Sequence, residues 1–359
     1  MTDAALDDLR EAIRSAAAAR QPIEIRGGGT KAFYGGATTG TVVSTAALSG
    51  IVDYAPTELV ITARAGTPLA TLEDSMHAER QMLAFEPPRY GAGATIGGAI
   101  AAGLSGPRRP YCGAARDFVL GVRIVDGTGA ALAFGGRVMK NVAGFDVARL
   151  MTGALGTLGV LTEVSLKCLP LPRTETTLAF ECTADESIRR VNEWGGRPLP
   201  LSGTYHVDGR LRVRLSGAEP AVAAAMRALG GETDADGATC WTGVRDHDHP
   251  FFDAARAGTG ALWRLSVRST APHADLPGAQ LIEWGGALRW LAAESAADPT
   301  PIRAWAKANG GHATLFRARD RSGAAFERLD ATMLTLHQRL KATFDPQGIL
   351  NRGRLDPAF

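Results

Sequence analysis

Two glycine-rich runs are the residues of this chain whose type and spacing point most directly to chemistry. They are Arg26-Gly27-Gly28-Gly29-Thr30 and the run at residues 91–98. Each follows an extended-looking stretch, and glycines expose backbone N–H groups that suit the oxygens of a diphosphate. The second run has glycines at 91, 93 and 97, one residue too far for G-x-G-x-x-G, and the sequence has no G-x-x-x-x-G-K-[ST]. The runs therefore predict a dinucleotide site built from neither common nucleotide loop.

The elements that must position these runs follow from hydrophobic periodicity. Leu6, Leu9, Ile13 and Ala16 predict an amphipathic helix ending near Arg20. Thr67-Pro68 predicts a cap and first turn for a helix with Leu69, Leu72 and Met76 on one face. Strands are predicted at 23–25, 59–65, 118–125, 130–134 and 161–169, with a hairpin at Asp126-Gly127.

The C-terminal half has a different texture, which predicts a second domain. Pro170-Leu171-Pro172 breaks the strand pattern and marks the boundary. Short predicted strands (176–182, 210–215, 261–268, 313–317) then alternate with predicted helices (186–194, 219–229, 301–308), as in a small α+β domain. Phe326, Leu329, Met333, Leu336 and Leu340 form a helical stripe that we expect to pack in the core, with a partner-binding face as the alternative.

Composition narrows the class of protein. The 359 residues are 45% hydrophobic with a formal net charge of +2, which argues against nucleic acid as a partner. No stretch approaches 18 apolar residues, and Asp3, Asp7 and Asp8 do not suit a signal peptide, so we expect a cytoplasmic protein. Cys112, Cys168, Cys182 and Cys240 contain no C-x-x-C, which predicts reduced, mostly buried thiols rather than an iron–sulfur cluster.

The order of these motifs resembles a known family. Arg-Gly-Gly-Gly-Thr, Ala-Thr-Ile-Gly-Gly, Arg116-Asp117-Phe118-Val119-Leu120-Gly121 and Gly-Thr-Leu-Gly-Val-Leu-Thr-Glu resemble the FAD-binding fold of the vanillyl-alcohol oxidase and p-cresol methylhydroxylase (PCMH) type. The resemblance is greatest to the E subunits of bacterial glycolate oxidases, and it covers nearly the whole chain. The motifs that carry it are 86–91, Gly106-Pro107-Arg108-Arg109-Pro110, 138–146 and 344–351.

The resemblance implies an α+β fold with a two-subdomain PCMH-type FAD-binding domain at 1–172. A smaller α+β cap would span 173–320, and residues 321–359 would return to the FAD domain. In this family the first glycine loop wraps the FAD pyrophosphate and the second closes over it. A third run, at residues 153–160, would meet the adenine and ribose through Gly159 and Val160. The implied cofactor-binding residues are Arg26, Gly27, Gly28, Gly29, Thr30, Lys31, Ala94, Thr95, Ile96, Gly97, Gly98, Gly103, Ser105, Gly106, Gly156, Thr157, Gly159, Val160 and Asn351.

Two departures from the family pattern shape the functional prediction. Gly29-Thr30-Lys31 stands where many members carry a histidine bonded to the flavin, so we predict non-covalent FAD. Oxidation of a 2-hydroxy acid needs a base and a cation for the carboxylate. The paired histidines that serve this in the catalytic subunit are missing here, where only Gly310-Gly311-His312-Ala313 is loosely comparable. Asp246-His247-Asp248-His249 could ligate a metal, but we favour a solvated loop and predict no metal site.

Three functions remain open at this point. The first is an FAD-binding subunit of a heteromeric glycolate oxidase, with separate substrate-oxidising and iron–sulfur subunits and at most a peripheral membrane association. The second is a self-contained flavoenzyme acting on a 2-hydroxy acid or alcohol, whose base would come from His312, Arg303 or Arg317. The third is a non-catalytic assembly subunit with a degenerate flavin site. The sequence assigns no catalytic residue.

Overall fold

The computed structural model describes residues 2–136, 146–294, 298–321 and 323–359. Of the motif at 138–146 that contributed to the resemblance, only Asp146 is among the described residues. Within the described ranges, no helix combines the length and the apolar character needed to cross a bilayer.

The chain divides into two compact units, each of which we describe by itself. The first consists of Met1–Leu104, Ala114–Leu171 and Arg328–Phe359. The second consists of Ser105–Gly113 and Pro172–Glu327. The Gly-Pro-Arg-Arg-Pro segment, which the sequence analysis placed in the first domain, thus lies within the second unit.

Helices occur in both units. In chain order they are α1 Thr2–Ala19, α2 Leu69–Ala78, α3 Ile96–Ala102, α4 Arg109–Cys112, α5 Ala115–Phe118, α6 Val147–Met151, α7 Ala184–Gly195, α8 Glu219–Leu229, α9 Gly237–Asp246, α10 Asp253–Ala257, α11 Pro299–Ala308 and α12 Ala331–Phe344.

Strands of the first unit form three sheets. They are β1 Ile23–Arg26, β2 Thr41–Ser44, β3 Ile51–Ala55, β4 Val60–Arg64, β5 Gln81–Met82, β6 Val119–Val125, β7 Ala131–Gly135, β8 Val160–Lys167 and β9 Leu169–Pro170. β1 and β2 pair in parallel, and β5 and β9 pair antiparallel. The remaining strands make an antiparallel sheet in the order β3-β4-β8-β6-β7.

The predicted N-terminal helix and hairpin are confirmed. Leu9 and Ile13 of α1 are buried in a core cluster with Val125 and Val160, so the apolar stripe of the helix packs against the strands. The hairpin between β6 and β7 closes at Asp126, whose Oδ1 accepts from the backbone N–H groups of Thr128 at 2.8 Å and Ala130 at 3.0 Å. An aspartate that bonds its own turn in this way favours the reversal that the sequence predicted.

Strands of the second unit form one antiparallel sheet in the order β13-β10-β12-β11-β15-β16-β14-β17. They are β10 Thr174–Glu181, β11 Leu201–Val207, β12 Arg210–Gly217, β13 Glu232–Thr233, β14 Ala261–Ser266, β15 Ala279–Glu283, β16 Leu288–Ala293 and β17 His312–Arg317. α7 and α8 cover one part of the sheet through Val191, Trp194 and Val222. α11 covers another part through Ile302 and Ala306. The predicted α+β class is confirmed.

The start of α2 differs from its prediction by one residue. The cap position is Pro68, and Thr67 does not cap the helix. Its hydroxyl donates to the carbonyl oxygen of Arg64 at 2.7 Å and accepts from the N–H of Gly50 at 3.0 Å. Thr67 therefore ties the preceding turn to a distant loop, a contact that local spacing does not reveal.

Three expectations about burial are wrong. The predicted stripe does not form a buried helical face. α12 begins at Ala331, after Phe326 and Leu329, and Met333 is 40% and Leu336 50% exposed. The thiols are free, as expected, but only Cys168 is buried. His247 does not lie in a solvated loop. It is 2% exposed, and its ring stacks on Phe252 with 3.9 Å between centroids, because a neutral imidazole packs well among aromatic rings.

Candidate functional site

An open cleft of about 890 Å³ in the first unit gathers most of the predicted glycine positions. The predicted residues that line it are Arg26, Gly27, Gly28, Gly29, Thr30, Lys31, Thr95, Gly97, Gly98, Gly156, Gly159 and Asn351. The lining residues that the sequence analysis missed are Glu24, Ile25, Ala32, Thr45, Ala65, Ala101, Ala102, Met151, Leu155, Leu161 and Arg354.

The first glycine loop supplies the available hydrogen-bond donors of the cleft. It follows directly from β1. Among residues 2–136, 146–294, 298–321 and 323–359, no group accepts a hydrogen bond from the backbone N–H of Gly27, Gly28, Gly29 or Thr30. Backbone N–H groups without an internal partner must be hydrated or meet a ligand. Four consecutive donors beside a cleft therefore fit the oxygens of a diphosphate.

Side chains are excluded from this loop by close packing. A Cβ on Gly28 would overlap the carbonyl oxygen of Gly93, and one on Gly27 would lie 2.6 Å from Thr95 Oγ1. Gly29 has a φ of +72°, which favours glycine. The two glycine runs are thus pressed against each other, and each needs glycine for a steric reason.

The second run acts as a scaffold more than as a donor loop. Ile96 N–H donates to Thr67 O at 3.0 Å and Gly97 N–H to Ala65 O at 2.8 Å. Thr95 caps α3, its Oγ1 accepting from Gly98 N–H at 3.2 Å. Ala94 N–H donates to Gly91 O at 3.3 Å. These N–H groups already have partners, so the run contributes surface to the cleft through its small residues.

The third run contributes Leu155, Gly156 and Gly159 to the cleft, whereas Thr157 and Val160 are buried away from it. Gly156 has a φ of +74°, and a Cβ there would lie 2.7 Å from Asn351 Nδ2. The Thr157 hydroxyl donates to Ala154 O at 2.7 Å.

Asn351 joins three segments of chain at the wall of the cleft. Its Oδ1 accepts from Ile25 N–H at 2.7 Å, and its Nδ2 donates to Leu155 O at 2.7 Å. Its own N–H donates to Ile23 O at 3.1 Å. The residue has a φ of +41°, which asparagine tolerates better than most side chains. Asn351 therefore fixes the end of β1, and with it the start of the first glycine loop.

A buried ion pair holds the segment that carries Asn351. Lys341 Nζ lies 2.7 Å from Asp345 Oδ2 and donates to the carbonyl oxygens of Thr157 and Leu350, both at 2.8 Å. Asp345 accepts from the N–H groups of Ile349 and Leu350. Burial lowers the pKa of Lys341, although Asp345 counteracts it. These bonds connect α12 to the carbonyl group of Thr157 in the third glycine run and to residues 349–350, which directly precede Asn351.

Charged residues give the cleft an excess of cations. Arg26, Lys31 and Arg354 line it with one carboxylate, Glu24. Arg26 Nη2 lies 2.6 Å from Glu24 Oε1, and Arg354 Nη2 donates to Lys31 O at 3.0 Å. Burial raises the pKa of Glu24, but Arg26 and Thr38 outweigh it and leave that pKa below its usual value. The carboxylate stays ionised, and the remaining positive charge favours an anionic ligand.

Seven predicted residues lie outside the lining of the cleft: Ala94, Ile96, Gly103, Ser105, Gly106, Thr157 and Val160. Gly103 ends α3 at a φ of +64° and packs on Gly153, where a Cβ would come within 2.8 Å of the Cα atom. Ser105 and Gly106 belong to the second unit, where Gly106 O accepts from Trp284 Nε1 at 3.1 Å.

The candidate base residues also lie in the second unit. Burial and Arg264 lower the pKa of His312. Arg303 Nη2 donates to Ala324 O at 2.7 Å, and its guanidinium lies 5.8 Å from the centroid of the Trp263 ring. Within the described ranges, no three His, Cys, Asp or Glu side chains converge as metal ligands would. The geometry singles out no catalytic base.

Comparison with known proteins agrees with a flavin site. Residues 4–135 match the family described as "FAD binding domain", and residues 319–355 match "FAD linked oxidases, C-terminal domain". The glycolate oxidase subunit GlcE of Escherichia coli is 48% identical over 347 residues, which are 97% of this chain and 96% of that protein.

Other relatives match only part of their own length. A D-lactate dehydrogenase of Archaeoglobus fulgidus is 33% identical over 50% of this chain and 41% of its own length. The glycolate oxidase subunit GlcD of Bacillus subtilis is 33% identical over 48% of this chain and 37% of its own length. These partial matches support FAD-dependent oxidoreductase chemistry in the shared region.

Solved structures support the fold. A 4-ethylphenol oxidase from Gulosibacter chungangensis has a TM-score of 0.70 at 14% identity, covering 98% of this chain and 87% of its own. An alkyldihydroxyacetonephosphate synthase has a TM-score of 0.68 at 15% identity, covering 96% and 75%. At such identities the likeness is one of fold alone. Together with the matched FAD binding domain, it confirms the predicted PCMH-type fold.

Proposed function

Because the chain belongs to the family of the glycolate oxidase subunit GlcE, we propose that it is the FAD-binding subunit of a heteromeric glycolate oxidase. In that complex it would support oxidation of glycolate to glyoxylate. The observation that carries the proposal is the row of four backbone N–H donors in the first glycine loop, facing a cleft with cationic walls. FAD, when bound, supplies a group that can take up electrons removed from the hydroxy acid and pass them to a partner subunit.

The residues of the cleft divide the work of holding FAD. Gly27, Gly28, Gly29 and Thr30 would donate to the diphosphate, and Lys31 would add charge nearby. The small residues of the second run would let the cofactor approach the backbone closely. Met151, Leu155 and Leu161 offer apolar surface for a ring system. Asn351 acts through the backbone of Ile25 and Leu155, so we regard it as a positioning residue.

We propose that the FAD is held without a covalent bond. Thr30 and Lys31 occupy the place of the histidine that anchors flavin in many members of the family. Lys31 Nζ is already engaged, because it donates to Arg89 O at 3.4 Å and lies 5.5 Å from the centroid of the Tyr90 ring. Acid precipitation of the purified protein should leave yellow flavin in the supernatant. Colour retained on the precipitated chain would contradict the non-covalent assignment.

We further propose two partner subunits, one that oxidises the substrate and one that carries iron–sulfur clusters. The Escherichia coli relative GlcE and the Bacillus subtilis relative GlcD are each named as a subunit of a glycolate oxidase, which supports a complex of several chains. The four cysteines of this chain contain no C-x-x-C, so electrons would leave through another chain. We place the complex in the cytoplasm or at the inner face of the membrane.

Reconstitution tests the proposal. The complex is expressed with and without this chain, and glycolate-dependent dye reduction is measured. We expect activity to fall to background without the chain, because the partners lack its flavin. Full activity without it would overturn an essential role.

The absorbance spectrum of the chain purified alone separates the remaining possibilities. Flavin bands bleached by glycolate without partners would instead favour a self-contained enzyme. Absence of flavin bands, with activity still dependent on the chain, would favour an assembly subunit.

A further inference from the structure

Two arginine side chains lie against the ring of Trp284 in the second unit, and neither lines the proposed cofactor cleft. Arg109 Cζ lies 4.5 Å and Arg264 Cζ 5.1 Å from the centroid of the Trp284 ring. Both distances fall within the range of a cation–π contact. The two guanidinium groups are therefore less than about 10 Å apart, which places two positive charges around one ring.

The Trp284 ring is held in place by its surroundings. Trp284 is 5% exposed, and its Nε1 donates to Gly106 O at 3.1 Å. Its φ of +56° is unusual for a bulky residue, and the turn continues at positive φ through Gly285 and Gly286. Gly285 N–H donates to Thr204 Oγ1 at 2.9 Å, and a Cβ on Gly286 would overlap Ser269 O. The surrounding contacts thus fix this conformation and give the ring a single position.

Arg264 has no anion of its own. It is half-buried on β14, and among the described residues its guanidinium forms no hydrogen bond and no ion pair. Glu283, which precedes Trp284, does not neutralise it. That carboxylate is 3% exposed and accepts from Trp290 Nε1 at 2.9 Å. A half-buried cation without a counter-charge is costly unless a ligand or solvent supplies one.

The charged group next to the surroundings of Arg264 is Glu327, whose carboxylate accepts from Ala313 N–H at 3.0 Å and acts on His312. His247 and His312 both lie close enough for Arg264 to lower their pKa values, after the larger effect of burial. Arg264 pairs across the sheet with Trp290 and Thr314, which carry no charge. Among the described residues, Glu327 forms no ion pair with Arg264, so the guanidinium has no contacting counter-charge.

We propose that Arg264, together with Arg109 and the Trp284 ring, binds the carboxylate of a small organic acid. An arginine that lies over an aromatic ring keeps the N–H edge of its guanidinium available, and that edge matches a carboxylate in two parallel hydrogen bonds. Identification of the acid as a 2-hydroxy acid such as glycolate rests on the proposed function, whereas the anion site does not.

Direct binding to the full-length chain loaded with FAD tests the inference. Saturation-transfer NMR measures the dissociation constants of glycolate and of glycolamide, which has the same size without the charge. We expect glycolamide to bind at least about tenfold more weakly. Arg264→Met should weaken glycolate at least about tenfold, because it removes charge-assisted hydrogen bonds. Arg264→Lys keeps the charge but not the planar edge, and should show an intermediate loss.

Arg227→Met is the matched control. Arg227 is an exposed arginine of α8 that, within the described residues, also forms no ion pair. We expect it to bind glycolate like the unchanged chain. If Arg264→Met does not fold, judged by its thermal transition, the Lys variant carries the test.

Three outcomes would overturn the inference: equal binding of glycolate by the Arg264 variants, equal binding of glycolamide, or no carboxylate binding by the unchanged chain. The flavin absorbance of each sample reports separately on the proposed function. A chain that holds FAD but binds no carboxylate would refute this inference alone. A chain without FAD that still binds glycolate through Arg264 would refute the cofactor assignment alone.

Discussion

Two regions of the chain, the first glycine loop in the first unit and the residues around Glu175 in the second unit, use their polar groups in opposite ways. In the cleft of the first unit, the backbone donors of Gly27, Gly28, Gly29 and Thr30 have no partner among the described residues. In the second unit, Glu175 forms an ion pair with Arg108 at 2.6 Å and accepts from Ser216 at 2.6 Å, and Arg214 donates to Ser202 O at 3.0 Å. The glycine loop therefore has donors available for a ligand, whereas the donors around Glu175 already bond to other protein groups.

The difference shows that recognition by backbone and recognition by side chain leave different traces in a sequence. A glycine run indicates a site formed by backbone groups, because glycine has no side chain to cover them. An arginine in a sequence does not indicate whether it binds a ligand. The same residue type forms an ion pair at Arg108–Glu175 and, within the described part of the chain, has no ion pair at Arg264. Four comparisons, each made with one substitution or a pair of substitutions, test this difference from the largest expected effect to the smallest.

Gly28→Ala should have the largest effect, because its Cβ would overlap Gly93 O. The two glycine runs would have to separate, at a cost of at least about 2 kcal/mol in stability. We expect flavin content near background, measured by absorbance after gel filtration. Gly195→Ala is the control, because nothing lies within 4 Å of its Cβ at the end of α7. Normal flavin content in Gly28→Ala would show that the cleft does not depend on this close approach.

Asn351→Leu in the first unit and Asn192→Leu in the second each remove the hydrogen bonds of one asparagine side chain, so the pair compares this loss in the two units. Asn351→Leu leaves Ile25 N–H and Leu155 O unpaired, which should cost about 2–5 kcal/mol of unfolding free energy. It should also weaken FAD binding. Asn192 Nδ2 donates to Ile188 O at 2.8 Å and Ser269 O at 3.1 Å, so its loss should cost a similar amount.

The two asparagine variants should differ in flavin content. Denaturant titration gives the stability of each, and fluorescence titration with FAD gives its affinity for the cofactor. We expect Asn192→Leu to retain FAD. Equal loss of FAD in both variants would mean that general instability, rather than position at the cleft, governs cofactor retention.

Glu175→Gln should have a smaller, pH-dependent effect. Burial raises the pKa of Glu175, but Arg214, Ser216 and Arg108 outweigh it, so the folded-state pKa lies below the ordinary value of 4.5. The ionised carboxylate therefore stabilises the fold above about pH 4.5, and this contribution is lost as the pH falls through the folded-state pKa. Since the side chain is 35% exposed, we expect less than about 1 kcal/mol.

Thermal melting of Glu175→Gln and the unchanged chain, followed from pH 7 downwards, measures this effect. The difference in melting temperature should be constant near neutrality and should narrow below pH 4.5. A difference that does not vary with pH would assign the contribution of Glu175 to packing rather than charge.

Leu336→Asp should have the smallest effect on the isolated chain. The side chain is 50% exposed on α12, so its unfolding free energy should change by less than about 0.5 kcal/mol. If the exposed apolar positions of α12 contact a partner subunit, co-purification of the complex should decrease. Thr335→Asp, at a neighbouring exposed position, is the control. Undiminished co-purification in both variants would exclude this helix from the contact.

Sequence patterns predicted the elements well where the contacts that stabilise them are local. α1, α8 and the β6–β7 hairpin lie close to their predicted positions, because periodicity and turn chemistry are local properties. The predicted burial of the α12 residues was wrong, because the spacing of apolar residues specifies a helical face but not what covers that face. The solvated loop predicted around His247 was also wrong. The ring of His247 is buried because it packs against Phe252, Trp290 and Phe316, and the local sequence does not show these contacts.

The sequence by itself predicted a backbone site made of glycines and, through family resemblance, FAD as the cofactor. Only the tertiary structure showed that the first run leaves its donors available while Ala65 and Thr67 occupy those of the second. Only the tertiary structure brought Asn351 to Ile25, and Arg264 to Trp284. The physical reason is that glycine is a property of one position. Whether a donor or a cation has a partner depends on residues that are far apart in the chain.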